Sequence, residues 1–129
     1  MTTRKPKSAP AVRGDVVEHA GAAHEVAKPS MLAPNEITIL AETFRLLGDP
    51  SRLKILLCCL QDSMSVGEIA ERLDLSLSLV SHHLRLLRGA RLVKGVRNSK
   101  QIFYEIADQH VSQMLSDMAT HIAEDQADD

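Results

Sequence analysis

Cysteine is scarce: there are two, Cys58 and Cys59, and they are neighbours. Adjacent cysteines make a poor intramolecular disulfide, so a disulfide framework is excluded and a reducing compartment is expected. Long hydrophobic runs are lacking too. The longest, residues 55–60, falls far short of the roughly 20 residues that cross a bilayer, and no apolar signal core follows the basic N-terminus. The expectations are no membrane partner and a cytoplasmic location. Aromatics are only 2% of the 129 residues while 44% are hydrophobic, a balance that fits one small soluble domain.

A net charge of either sign is also missing. The 15 Lys+Arg and 17 Asp+Glu sum to −2, which taken alone argues against a nucleic-acid partner. The distribution argues otherwise. Residues 75–104 hold six basic residues (Arg85, Arg88, Arg91, Lys94, Arg97, Lys100) and no acidic one, whereas 105–129 hold seven acidic residues and no Lys or Arg. A small total conceals a strong asymmetry along the chain.

Four of the five prolines fall in residues 1–34, which carry no sustained hydrophobic period and are expected to form a flexible N-terminal arm. From Asn35 onward, Ile37, Leu40, Ala41, Phe44 and Leu47 recur at helical spacing, predicting a helix over 35–47. Asp49-Pro50 caps and opens a second helix to about Gln61. Ser65-Val66-Gly67-Glu68 has the spacing of a capping box and predicts a third over 66–72. Ser76 caps a fourth, 77–88. Two strands follow, 92–96 and 101–106, joined by the turn Arg97-Asn98-Ser99-Lys100. A last amphipathic helix, 109–124, aligns Val111, Met114, Leu115, Met118 and Ile122, and 125–129 is expected to be an acidic tail.

The predicted fold is mainly α with a small β-hairpin: a winged helix-turn-helix of order α-α-α-α-β-β-α over 35–124. Such a chain has a thin core, and apolar stripes on both terminal helices imply a homodimer.

Advancing 100° per residue from Val80 puts Leu84 and Leu87 on the buried side of the fourth helix and Ser78, Ser81, His82 and Arg85 on the outward side. Short hydroxyls permit close approach to a groove floor, His82 can donate to a base or phosphate, and Arg85 can reach a guanine edge or the backbone. For an isolated amphipathic helix, simple solvation explains such a face better. The preceding helix and turn, and a wing bearing Arg97 and Lys100, reverse that balance toward double-stranded DNA, with Arg88, Arg91 and Lys94 as further backbone contacts. His83, about 60° from the core axis, reads as a packed histidine.

Leu47-Gly48-Asp49-Pro50-Ser51-Arg52-Leu53, Ser76-Leu77-Ser78-Leu79-Val80-Ser81-His82-His83-Leu84 and Leu86-Leu87-Arg88-Gly89-Ala90-Arg91-Leu92-Val93 resemble signatures of the ArsR/SmtB family of bacterial metal-responsive repressors. The resemblance runs from about Asn35 to Glu124. It implies a homodimer that binds an imperfect palindromic operator and releases it when metal binds, with Ser78, Ser81 and His82 in the groove.

Four potential ligands lie on or beside the last helix: Asp108, His110, His121 and Glu124. His110 and His121 are eleven residues apart, roughly 16.5 Å along a helix, so one copy cannot close a site around an ion whose ligands lie about 2.0–2.2 Å away. Two antiparallel copies can, giving two equal sites per dimer. His121 and Glu124 share a face at i and i+3, while Asp108 is placed at the N-cap. The plainer reading makes Asp108 only a cap, the histidines flanks of an interface and Glu124 solvated; the set of four together favours a metal. Asp-x-His, ten residues, His-x-x-Glu also resembles the C-terminal-helix zinc site of the SmtB branch. The implied inducer is Zn(II), with cobalt or cadmium as alternatives. The histidine that family variants for nickel or cobalt place last is here Glu124, and the cysteine of the family's thiolate site is here Ser65. Cys58 and Cys59 read as core residues, His19 and His24 as weak candidate ligands. A zinc hydrolase would need an open coordination position and a convergent base, which the pattern lacks. The remaining alternative is a winged-helix regulator switched by cysteine oxidation.

Overall fold

In the computed structural model, residues 31–127 are described. His19, His24 and most of the expected arm lie outside them. The chain divides into two units, Met1–Ile37 and Thr38–Asp129, each taken by itself. The element order is α1 (Pro34–Leu47), α2 (Pro50–Gln61), β1 (Met64–Ser65), α3 (Val66–Leu73), α4 (Leu77–Gly89), β2 (Val93–Asn98), β3 (Gln101–Ile106) and α5 (Gln109–Ala127).

The helix starts follow their caps. Asp49 is extended, its carboxylate accepts the Arg52 N–H at 3.0 Å, and Pro50 follows where no N–H is needed. Ser65 and Glu68 form the reciprocal capping box: Ser65 Oγ accepts from the Glu68 N–H at 3.2 Å and Glu68 Oε1 from the Ser65 N–H at 2.9 Å. Ser76 caps α4 through the Leu79 N–H at 3.1 Å. The end of α4 is less usual. The Leu92 N–H bonds the Leu87 carbonyl and the Arg91 N–H bonds the Arg88 carbonyl, the paired bonds of a Schellman motif, with Arg91 rather than glycine at positive φ (62°). Gly89 stays inside the helix. A non-glycine residue held there costs roughly 1–2 kcal/mol of local strain, which the burial of Leu92 and Val93 offsets.

The sheet has three antiparallel strands in the order β1-β3-β2, one more than the predicted hairpin. Met64 and Ser65 pair with Tyr104 and Phe103, adding a two-residue strand too short to register as a period in the sequence. The hairpin ladder extends to Asn98 opposite Gln101, so the turn narrows from four residues to Ser99-Lys100, with Ser99 at φ 63°. A positive φ at the first loop position matches strand twist in two-residue hairpins.

The core joins α2, α3 and α4: Ile55, Leu56, Ile69, Val80, Leu84 and Leu87 are fully buried, and Leu92, Val93 and Leu115 close it from the wing and α5. Burying each such side chain stabilises by about 1.5–3 kcal/mol. Among the described residues of α5 only Leu115 is buried; Met118 is 51% and Ile122 56% exposed, so the apolar stripe continues beyond the core that holds it. The helix also runs through Asp125 to Ala127, into the expected tail.

Candidate nucleic-acid interface and metal ligands

The two faces of α4 separate as helical geometry requires. Val80, His83, Leu84 and Leu87 are buried, while Ser78, His82 and Arg85 are exposed and Ser81 is half-buried. The left-handed Asp74 (φ 56°) ends α3 and turns the chain toward α4. Beyond α4, Arg97 is exposed on β2 and Lys100 at the hairpin tip. Among the described residues, Arg85, Arg88, Arg91, Lys94, Arg97 and Lys100 form no ion pair. The six cations are therefore uncompensated within this part of the chain, the condition under which displacing condensed counterions from a duplex favours binding.

His83 is packed, as expected, but its partners were not foreseen. Its Nδ1 accepts from Arg52 Nε at 3.3 Å, and its Nε2 is 3.9 Å from the Asp49 carboxylate. Arg52 also donates from Nη1 to the Leu46 carbonyl at 3.1 Å. The end of α1, the first turn of α2 and the buried side of α4 are thus joined through one guanidinium. Burial holds the His83 pKa below its ordinary value, against the pull of Asp49. Asp49 is itself lowered, chiefly by the Arg52 N–H it accepts. Nothing in the sequence links residues 31 apart.

The four candidate ligands lie where α5 places them. Asp108 is the N-cap: its Oδ1 accepts from the Val111 N–H at 3.0 Å and its carbonyl from the Ser112 N–H at 3.1 Å. His110 is in the first turn, and His121 and Glu124 lie near the far end; all four are exposed. Among the described residues of one chain, no three His, Cys, Asp or Glu converge as a metal site would need. Two carboxylates and two imidazoles suit zinc as a donor set, while along one continuous helix His110 and His121 stand roughly 16.5 Å apart. The segment leading into α5 is also tied to the loop that follows α4, since the Ala107 N–H bonds the Leu92 carbonyl at 3.1 Å.

Cys58 and Cys59 are buried in the core. Burial raises both thiols, that of Cys59 to about 12, which suppresses the thiolate that oxidation requires. Among the described residues, no helix is long and apolar enough to cross a membrane.

Comparison with known proteins agrees with this architecture. Residues 49–94 match the family described as bacterial regulatory protein, arsR family. The chain is 35% identical to a transcriptional repressor SmtB homolog of Synechocystis over 75% of its own length and 74% of the relative's. It is 37% identical to the HTH-type transcriptional regulator KmtR of Mycobacterium tuberculosis over 69% and 68% of the two chains. The solved structure of the cadmium metal-sensor CMTR from Mycobacterium tuberculosis superposes with a TM-score of 0.54 at 38% identity, covering 60% of this chain and 80% of that one. These relatives are transcriptional regulators rather than enzymes, and the winged helix-turn-helix, its uncompensated cations and the matches together establish that this chain belongs to the ArsR/SmtB family of metal-sensing transcriptional repressors.

Proposed function

We propose that the chain is a homodimeric repressor that binds a palindromic operator with α4 and its wing, and that Zn(II) bound between the two α5 helices lowers its affinity for that operator. The observation that carries the DNA half is the partition of α4: a buried apolar side and an outward side of Ser78, Ser81, His82 and Arg85, without an acidic residue anywhere in 75–104. Ser78, Ser81 and His82 read base edges, Arg85 reaches a guanine edge or phosphate, and Arg97 and Lys100 neutralise phosphates beside the wing.

The exposed continuation of the α5 stripe at Met118 and Ile122 supports a two-fold partner there. Asp108 and His110 of one copy then meet His121 and Glu124 of the other, which resolves the roughly 16.5 Å problem within one helix. Asp108, His110, His121 and Glu124 would hold the zinc, which would bridge the two helices and fix the angle between them. His121 would hold the metal through one ring nitrogen, leaving its other N–H free to donate to a backbone carbonyl. The Ala107 to Leu92 bond supports coupling to α4, because a shift of α5 is felt at the loop that follows it. Metal and DNA affinities oppose each other reciprocally, by about 1–3 kcal/mol.

Native mass spectrometry with zinc titrated in tests the assembly directly. A dimer that takes up two zinc ions, and takes up none after His121→Gln, is the expected result. A zinc-loaded monomer, or unchanged uptake by the variant, contradicts the shared site.

A further inference from the structure

A cavity of about 180 Å³ lies between α4 and β3, lined by Ser81, Leu84, Arg85, Arg88 and Tyr104. Its volume is far above the roughly 10–15 Å³ that one water needs. Leu84 is buried and contributes an apolar wall; the other lining residues bring a hydroxyl, a phenol and two guanidiniums, and no carboxylate. Neither Arg85 nor Arg88 forms an ion pair among the described residues. Two like charges facing one hollow repel each other, and an anion with several acceptor oxygens relieves that repulsion while matching the planar fork of a guanidinium.

The strand side is held firmly. Tyr104 is on the central strand, with Met64 opposite on β1 and Gly95 on β2. A Cβ at Gly95 would come within 3.5 Å of the tyrosine ring and within 2.9 Å of Ile102 Cγ2, so the glycine leaves room for both. The nearest acid in sequence, Glu105, alternates to the other face of β3 and is in register with Lys94.

Ser81 and Arg85 belong both to this cavity and to the outward face of α4. The cavity mouth therefore borders the face that the proposed function sets against a duplex. We propose that the hollow between the reading helix and the central wing strand seats one phosphodiester of the bound duplex, with Arg88 supplying the charge and Tyr104 a neutral hydroxyl donor. This rests on the reading of α4 as the groove helix. It makes Arg88 and Tyr104 contacts that position the protein on any sequence, distinct from the base-reading face.

The test is the salt dependence of duplex binding for the full chain, measured by fluorescence anisotropy on a duplex selected from a random pool and on a scrambled duplex. Arg88→Gln should reduce the slope of log K against log salt by about 0.9, the value for one phosphate, and weaken both duplexes by the same factor. Tyr104→Phe should weaken both equally and leave the slope unchanged, because a neutral donor releases no counterion. An unchanged slope for Arg88→Gln, with wild-type binding intact, overturns the cavity assignment alone; loss confined to the selected duplex overturns it too, since Arg88 would then read bases. Wild-type protein whose duplex binding is indifferent to salt overturns the underlying DNA reading as well. The source of the phosphate is separated by thermal melting in inorganic phosphate at fixed ionic strength without DNA. Equal melting temperatures for wild type and Arg88→Gln support the duplex backbone, whereas phosphate stabilisation lost in Arg88→Gln assigns the cavity to the free ion.

Discussion

Arg52 donates its Nε–H to Nδ1 of His83 across 3.3 Å, joining the first turn of α2 to the buried side of α4. Because Nδ1 accepts, the neutral ring carries its proton on Nε2, the nitrogen facing Asp49. Protonating Nδ1 would remove that acceptor and place a second cation against the guanidinium.

This relationship fixes a sign for pH dependence. Burial lowers the folded pKa of His83 from its ordinary 6.5, so the unfolded chain binds the extra proton first as pH falls. The His83 contribution to stability is whole above about pH 6.5, erodes below it, and is fully lost beneath the lowered folded pKa. His83→Gln can keep an acceptor for Arg52 without a titrating ring. Urea unfolding between pH 7.5 and 5 should show the variant gaining on wild type as the solution acidifies; a constant gap between the two proteins contradicts the assignment.

The capping box gives a prediction about stability. Ser65→Ala removes the acceptor for the Glu68 N–H and should cost about 1 kcal/mol, a Tm decrease of roughly 4–8 °C for a domain of this size. Calorimetry on the two proteins checks it. A variant that melts with wild type would mean that the β1 pairing alone fixes this turn.

The dimer prediction concerns the bare part of the α5 stripe. Ile122 is 56% exposed, so Ile122→Glu leaves the single-chain core untouched and places a charge where the partner helix is proposed to pack. Light scattering should show wild type as a dimer and the variant as a monomer of unchanged helicity. A variant that stays dimeric moves the interface elsewhere.

Cysteine chemistry should be dispensable. Replacing Cys58 and Cys59 together by serine buries two hydroxyls and will lower stability, but duplex binding and its zinc response should survive at a temperature where the variant is folded. Loss of regulation by peroxide, seen in wild type and absent in the variant, would restore the oxidation reading.

Much of this was legible in the sequence because it is written in local spacing. The caps at Asp49, Ser65 and Ser76 and the two faces of α4 depend on residues three or four apart. What escaped depends on residues brought together by the fold. β1 is two residues long and exists only because β3 offers it a free edge. Arg97 and Asn98 belong to the ladder although their polarity reads as turn, since an exposed hairpin needs no buried face. The link from Arg52 to His83 and the hollow between Arg88 and Tyr104 each join separate elements. Arg91 holds a left-handed position that glycine more often fills, while Gly89 lies inside the helix.

Opposition between metal on α5 and DNA on α4 can be followed by titrating zinc into a preformed protein–duplex complex and recording fluorescence anisotropy for wild type and His121→Gln. Zinc should dissociate the wild-type complex at neutral pH, while the variant should bind the duplex with wild-type affinity and hold it throughout the titration. A His121→Gln complex that releases its duplex at the same zinc concentration as wild type would contradict it.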